Sequence, residues 1–358
     1  MKGEYFVNSL DKKAEEILDE NIVIDAHFDL LMDLSAQRKL GFCKVMEKDH
    51  LENFKKGKLN CVVSSIFIEN YMIPELSLRE SLNQISALYQ EIRESPSYFM
   101  MCKTFEDVQK AKEENKIGIF LSFEGVEPLY NDLNLLEIFY ELGVRFVGIT
   151  WSRRNYAADG SRFSEPDPEK NSNGLSDFGF ELVKKAQKMG MIIDVSHLND
   201  KGFWDVMKIT TQPIIASHSD CRSIVNIERN LTDEQIKALA STGGVIGINA
   251  LNKFASRMPE NADVYDLVNN IDHIVNLVGI DFVGLGFDFC GHLRKFEPLI
   301  VTQNKVSRSF EILENHSNIP VLVEALLEKG YSDKDIKKIL GENFLRVYKQ
   351  VLKNDSFL

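Results

Sequence analysis

Eight short, strongly apolar runs recur along this chain, and most of them end on a residue able to carry charge or bind a metal. The first, Ile22-Val23-Ile24-Asp25-Ala26-His27-Phe28-Asp29, sets the pattern. Apolar, β-branched residues run into a polar cluster, as a buried strand does where it surfaces at a pocket. Strict alternation puts Asp25, His27 and Asp29 on one face and Ala26 and Phe28 on the other. The remaining runs are Cys61–Ile68, Gly118–Glu124, Arg145–Trp151, Met191–His197, Pro213–His218, Gly244–Asn249 and Phe282–Asp288. Strands apolar on both faces belong to parallel sheets covered by helices.

Helical patterns fill most of the gaps, at about residues 9–20, 77–94, 105–114, 132–142, 177–189, 233–241 and 264–278, with a short one before the sixth run. Three more, near 320–329, 333–340 and 342–352, make a helical tail, with Ser332 as the N-cap of the middle one. Eight parallel strands alternating with helices predict a (β/α)8 TIM-type barrel, read as one domain over residues 1–358. The competing open, doubly wound sheet lacks a Gly-x-Gly-x-x-Gly after its first strand. Two long polar stretches, 152–176 and 289–307, read as loops on the active face, placed to cover a small substrate.

In such a barrel, reactive groups sit where strands end at their C-terminal side. His27 and Asp29, Glu124, His197, His218 and Asp288 all fall there, on five different runs. One buried histidine ordinarily just satisfies a backbone partner, but this many metal-binding side chains on one rim point to hydrolysis with two cations sharing a carboxylate. Nitrogen and carboxylate ligands favour zinc, with manganese, iron or cobalt also fitting. His50, His273, His292 and His316 read as surface histidines or supports behind the site. A net charge of −12 argues against nucleic acid or an anionic membrane as partner. Five widely spaced cysteines without a Cys-x-x-Cys pair, no apolar leader and no membrane-length apolar run predict a cytoplasmic protein.

The ordered motifs resemble the membrane (renal) dipeptidase family, the M19 zinc metallopeptidases, in its soluble bacterial branch. They are Ile24-Asp25-Ala26-His27-Phe28-Asp29-Leu30, Phe123-Glu124-Gly125, Gly174–Gly179, Met189–His197, Ile215–Ser219, Arg229–Asp233, Gly284–Phe289 and Gly341–Arg346, spanning about residues 22–350. The resemblance implies that His27 and Asp29 hold one zinc, that His197 and His218 hold the other, and that Glu124 bridges them. It further implies that Asp288 handles protons and that Arg229 clamps the substrate carboxylate, a task suited to a planar, permanently charged fork.

Two departures stand out. Where the family has Leu-Thr-His at the end of the fourth strand, this chain has Ile149-Thr150-Trp151, and Cys290 replaces the second Asp of the family's Asp-Phe-Asp-Gly run. The expectation is a two-metal dipeptidase acting on small peptides, with Trp151 donating its indole N–H to the substrate; a homodimer is compatible with it. A two-metal amide or ester hydrolase with another substrate, and a non-catalytic metal-binding relative, remain as alternatives.

Overall fold

The computed structural model describes residues 2–167, 172–296 and 309–352. At its centre lies an all-parallel sheet of strands β1 (Ile24–Phe28), β2 (Cys61–Ile66), β3 (Phe99–Met101), β4 (Ile117–Glu124), β5 (Val144–Gly148), β6 (Ile192–Asp194), β7 (Ile215–Ala216), β8 (Val245–Ile248) and β9 (Val283–Leu285). Eight of these follow one another around the sheet, β1-β2-β4-β5-β6-β7-β8-β9, while β3 pairs only with the start of β4. The ends of the path meet: Phe28 bridges Phe289, and the Asp288 N–H donates to the His27 carbonyl at 3.3 Å. With helices such as Ser77–Glu94, Asp177–Lys188 and Val264–Val278 between the strands, the result is a nearly closed barrel of eight parallel strands. Except in β3, every strand residue is buried, because the barrel interior takes one face and the helices the other.

The strands stop earlier than the apolar runs do. The fifth run is strand only to Asp194 and the eighth only to Leu285, so His197 and Asp288 lie just past the sheet. β3 was not among the expected strands, since Phe99-Met100-Met101 is too short to show a period. The helix Leu30–Lys39 is a further addition to the expected elements; its buried face includes Asp33 and Ser35, which meet His50 and Glu80 and interrupt the apolar pattern. The tail folds as Ile319–Lys329, Asp333–Lys337 and Asn343–Val351, and Ser332 accepts from the Asp335 N–H as its helix's cap. Residues 168–171 of the first long loop and 297–307 of the second lie outside the described residues.

The barrel interior has two halves. Toward the strands' N-terminal ends it is apolar, filled by Ile24, Cys61, Val63, Phe120, Phe146 and their neighbours. The final helix, Asn343–Val351, closes this foot. Its Tyr348 ring packs edge-on against Phe120 and Phe146, with centroids 5.4 and 5.3 Å away. Phe344 fills the space that Gly284 leaves open, where a Cβ would come within 2.5 Å of its ring. Asn343 anchors the helix by donating to the carbonyls of Ile280 and Val283 at the start of β9.

Candidate active site

At the other end the barrel opens into a polar mouth, and two aspartates within the strands shape it. The Asp25 carboxylate accepts from the N–H of His27, two residues on, and from that of Phe287 across the barrel seam, at 3.2 and 3.0 Å. Asp194 does the same with Ser196 and Ser217, at 3.0 and 2.9 Å. A side chain thus replaces a ladder partner, which ends β6 at Asp194 and disturbs the pairing of β1, although that strand runs on to Phe28. In β1 the register shifts between Asp25 and Phe28. This overturns the alternation read from the sequence. Asp25 points away from the site, to His316 at 2.7 Å, and Ala26 packs in the barrel interior, while His27 and Asp29 reach the mouth. A one-residue slip reverses the facing of every residue beyond it.

His197 and Asp288 follow their strands in the left-handed backbone region, at φ of 64° and 60°. For residues with a Cβ this costs on the order of 1–3 kcal/mol each, and it persists because surrounding contacts enforce it. The His197 carbonyl accepts from the Ser161 N–H and the Thr150 hydroxyl, and the Asp288 carboxylate accepts from Asn249 Nδ2 at 2.9 Å.

The six rim residues converge. His27 Nε2 lies 3.7 Å from Asp29 Oδ1, 3.6 Å from Glu124 Oε2 and 3.7 Å from Asp288 Oδ1. The Nε2 atoms of His197 and His218 are 2.9 Å apart, and Glu124 Oε1 is 3.2 and 3.9 Å from them. Two groups able to hold a metal therefore share Glu124, one oxygen facing each: His27 with Asp29, and His197 with His218. A third grouping joins His27, His218 and Asp288. Atoms 2.0–2.1 Å from a tetrahedral zinc stand roughly 3.4 Å from one another, the spacing these clusters approach.

The outer nitrogens are committed elsewhere. His218 Nδ1 meets Ser217 Oγ, which donates to Asp194, and His197 Nδ1 meets Ser152 Oγ. This leaves both Nε2 atoms free to act as metal donors, the arrangement that orients ligating imidazoles. His27 Nε2 and Glu124 Oε2 are buried without a hydrogen-bond partner, which is costly unless a ligand serves them.

The electrostatics point the same way. Burial opposes charge on His27, yet the carboxylates of Glu124, Asp288 and Asp29 outweigh it and lift its pKa to about 10. Glu124 is pushed up to about 8 by burial and by Asp29, against the pull of His27. Burial raises Asp288 to about 6. Buried carboxylates reaching for protons mark a place short of positive charge, which cations would supply. Burial, together with the charges of Arg229 and His27, holds His197 and His218 neutral, the form in which imidazole binds metal. The donor set fits divalent cations.

Above the cluster lies a cavity of about 270 Å³. Glu124, His197, Asp29 and Asp288 form its floor, and Trp151, Phe67, Phe163 and Phe254 supply aromatic walls. Trp151 packs edge-on against Phe67 and Phe163, with ring centres at 5.3 and 5.6 Å. Arg229 is only 2% exposed and is not among the lining residues. It sits behind them, 5.7 Å from the centre of the Phe254 ring, donating to Ser219 Oγ and the His218 carbonyl at 2.8 and 2.6 Å. Cys290 lines the cavity beside Asp29 Oδ2, at 3.3 Å. Of the four histidines set aside from the sequence, His50 and His316 are buried against Asp33 and Asp25, His292 meets the Asp29 carbonyl, and His273 pairs with Asp233 near the surface. Sequence reasoning missed Asp25 and Asp194 as struts; the available signal was an aspartate two or three residues before a histidine inside an apolar run. It also missed Asp220, buried and lifted to about 8 by burial despite the nearby Arg229 charge.

Fold and donor set together define a barrel hydrolase site of the metal-dependent kind. The profile of the membrane dipeptidase family (peptidase family M19) matches residues 11–356, and the chain belongs to that family. It is 31% identical over 271 residues to an uncharacterized protein in the pqqA 5' region of Klebsiella pneumoniae, covering 75% of this chain and 94% of that one. It is 28% identical over 309 residues to the dipeptidase tcpJ of Claviceps purpurea, covering 84% of this chain and 68% of the relative. Its fold resembles a metallo peptidase from Rhodobacter sphaeroides, crystallised with a phosphinate mimic of L-Ala-D-Ala, with a TM-score of 0.81, 23% identity and coverage of 92% and 99%. The probable dipeptidase PvdM from Pseudomonas aeruginosa also gives a TM-score of 0.81, at 24% identity and coverage of 97% and 100%. Among the described residues, no helix is long and apolar enough to cross a membrane.

Proposed function

We propose that this protein hydrolyses dipeptides with two divalent cations, zinc fitting best, one held by His27 and Asp29, the other by His197 and His218, with Glu124 between them. The observation that carries this reading is the placement of the two Glu124 oxygens, each facing a different ligand pair. Bound cations of this kind supply Lewis acidity, bringing the pKa of a water toward neutrality and polarising the scissile carbonyl.

The side chains do the rest. Asp288, held through one oxygen by Asn249, keeps the other toward His27 and the cavity. There it takes a proton from the attacking water and returns it to the leaving amine. Arg229 keeps N–H donors in reserve, since Nε has no partner and each outer nitrogen carries a second hydrogen. They favour a free carboxylate at the His218 side of the site. The aromatic walls limit the substrate to a small molecule, and Trp151 offers its indole N–H where the family has a histidine. Five free cysteines accord with a reducing, cytoplasmic setting, and we treat residues 1–358 as one domain.

The test is metal analysis of zinc-loaded protein, with hydrolysis of a panel of dipeptides that includes D-residues at the second position. Close to two metals per chain and turnover are expected. Amidating the substrate's C-terminus, or making Arg229→Met, should weaken kcat/KM by about 1.5–3 kcal/mol, the worth of a charge-assisted hydrogen bond. At most one metal at saturation would remove the bridging role of Glu124. Metal without turnover on any dipeptide would favour a non-catalytic relative, and equal turnover of free and amidated substrates would exclude the carboxylate clamp.

A further inference from the structure

The cavity over the rim residues shares part of its lining with a neighbour. Met32, Phe67, Glu69, Cys290 and Leu293 line it and also line a second cavity of about 770 Å³ on the Asp29 side. The two spaces share one wall, and that wall has a definite chemistry. Met32, Phe67 and Leu293 present apolar surface, and Glu69 presents the carboxylate.

The charges along this wall are unequal. In the outer cavity, Glu80 is fully engaged, with Lys39 at 2.7 Å, Ser35 at 2.9 Å and Asn83 at 3.1 Å. The half-buried Glu69 carboxylate has no hydrogen-bond or ion-pair partner among the described residues. Lys39, the cation lining the outer cavity, is already spent on Glu80. An apolar wall that carries an unpaired carboxylate suits a side chain with a methylene stem and a cationic head.

The orientation follows from the two sides of the site. Arg229 belongs to the His218 side, through its bonds to the His218 carbonyl and Ser219. Glu69 follows β2, which neighbours β1 and its Asp29 and stands four places around the barrel from β7, the strand that leads to His218. A dipeptide laid across Glu124 with its carboxylate toward Arg229 directs its amino-terminal residue toward Met32 and Glu69. Resting on the dipeptidase reading above, we infer that Glu69 selects dipeptides whose amino-terminal residue is long and basic.

The experiment compares Lys-Ala with norleucyl-Ala, which keeps the stem and lacks the charge, in the zinc-loaded wild type and in Glu69→Gln. Ala-Ala reports the underlying activity, and Ala-Lys with Ala-norleucine reports the other substrate position. Expected is a preference for Lys-Ala over norleucyl-Ala of about tenfold in kcat/KM, falling to about one in Glu69→Gln. The Ala-Lys to Ala-norleucine ratio should be the same in both proteins. Because each ratio is taken within one protein, a change in folded fraction cancels. A wild-type ratio of one or less, or a tenfold ratio that survives Glu69→Gln, overturns the inference. If Ala-Ala is cleaved without such a preference, only this inference falls; if no dipeptide is cleaved, the dipeptidase reading falls with it.

Discussion

The two ends of one barrel are built on opposite terms. At the foot, Phe344 and Tyr348 from the last helix complete an apolar interior with Phe120 and Phe146, all in edge-on or tilted ring contacts. At the mouth, a few residues further along the same strands, three carboxylates and three histidines crowd together, with His27 Nε2 and Glu124 Oε2 unpartnered and two residues in left-handed backbone. β4 carries both, with Phe120 in the foot and Glu124 in the mouth. The foot is where burial stabilises the fold, and the mouth is where stability is given up for chemistry. The comparison implies that stability and activity separate along the barrel axis.

The largest effects should come from one substitution at each end. Glu124→Gln removes the carboxylate facing both ligand pairs, and its activity loss should exceed the roughly 10–100-fold typical of residues behind a metal ligand. The thermal stability of the metal-free protein should change little, because burial lifts Glu124 to about 8, so near neutral pH it is already largely uncharged, and glutamine keeps its size. Phe344→Ala should do the reverse, costing about 3–5 kcal/mol in denaturant unfolding while kcat per folded molecule stays unchanged. Chelator-treated samples of both variants, measured by calorimetry and by metal content, would decide the matter. A metal-free Glu124→Gln protein as unstable as Phe344→Ala would break the separation of roles.

A smaller effect should fall on a residue that belongs to both regions. Asp194 ends β6, holds two backbone N–H groups, and through Ser217 steadies His218. Asp194→Asn keeps the size and weakens the acceptor. We expect zinc affinity to drop by about 10–100-fold, read by competition with a chelator, with kcat largely restored at saturating zinc. Unchanged zinc affinity would mean that Ser217 alone orients His218, and that the mouth does not depend on this strand end.

This residue also shows where the sequence was legible. The histidines and carboxylates that close an apolar parallel run mark the rim, so His27, Asp29, Glu124, His197, His218 and Asp288 are legible as the last polar residues of their runs. The rule is silent on Asp25 and Asp194, because a period of two places Asp25 with His27, and only the register shift in β1 separates them. β3 and the helix Leu30–Lys39 escaped for lack of a clear period. Met32, Glu69, Phe163 and Phe254 line the cavity from that unassigned helix, from loops and from a four-residue helix, where residue spacing carries no information about facing.

Trp151 gives the finest test of the comparison, since it lies on the mouth but is packed as a foot residue would be. Its ring touches Phe67 and Phe163, stands 5.9 Å from the His197 ring, and has the Arg153 guanidinium 5.2 Å from its centre. An indole can donate one hydrogen bond and cannot exchange a proton, so it can replace only part of what an imidazole does. If the N–H reaches the substrate oxygen, it adds a neutral donor to whatever polarisation the cations provide. A neutral hydrogen bond contributes a net ~0.5–1.5 kcal/mol, about two- to tenfold in rate. Trp151→Phe keeps an aromatic wall and removes that donor. We expect kcat on the best dipeptide to fall within that range, with metal content unchanged and thermal stability nearly so. An unchanged kcat would assign Trp151 to the wall alone and leave carbonyl polarisation to the cations. A drop in kcat matched by a drop in unfolding temperature would instead show that packing and chemistry are not separable even at the rim.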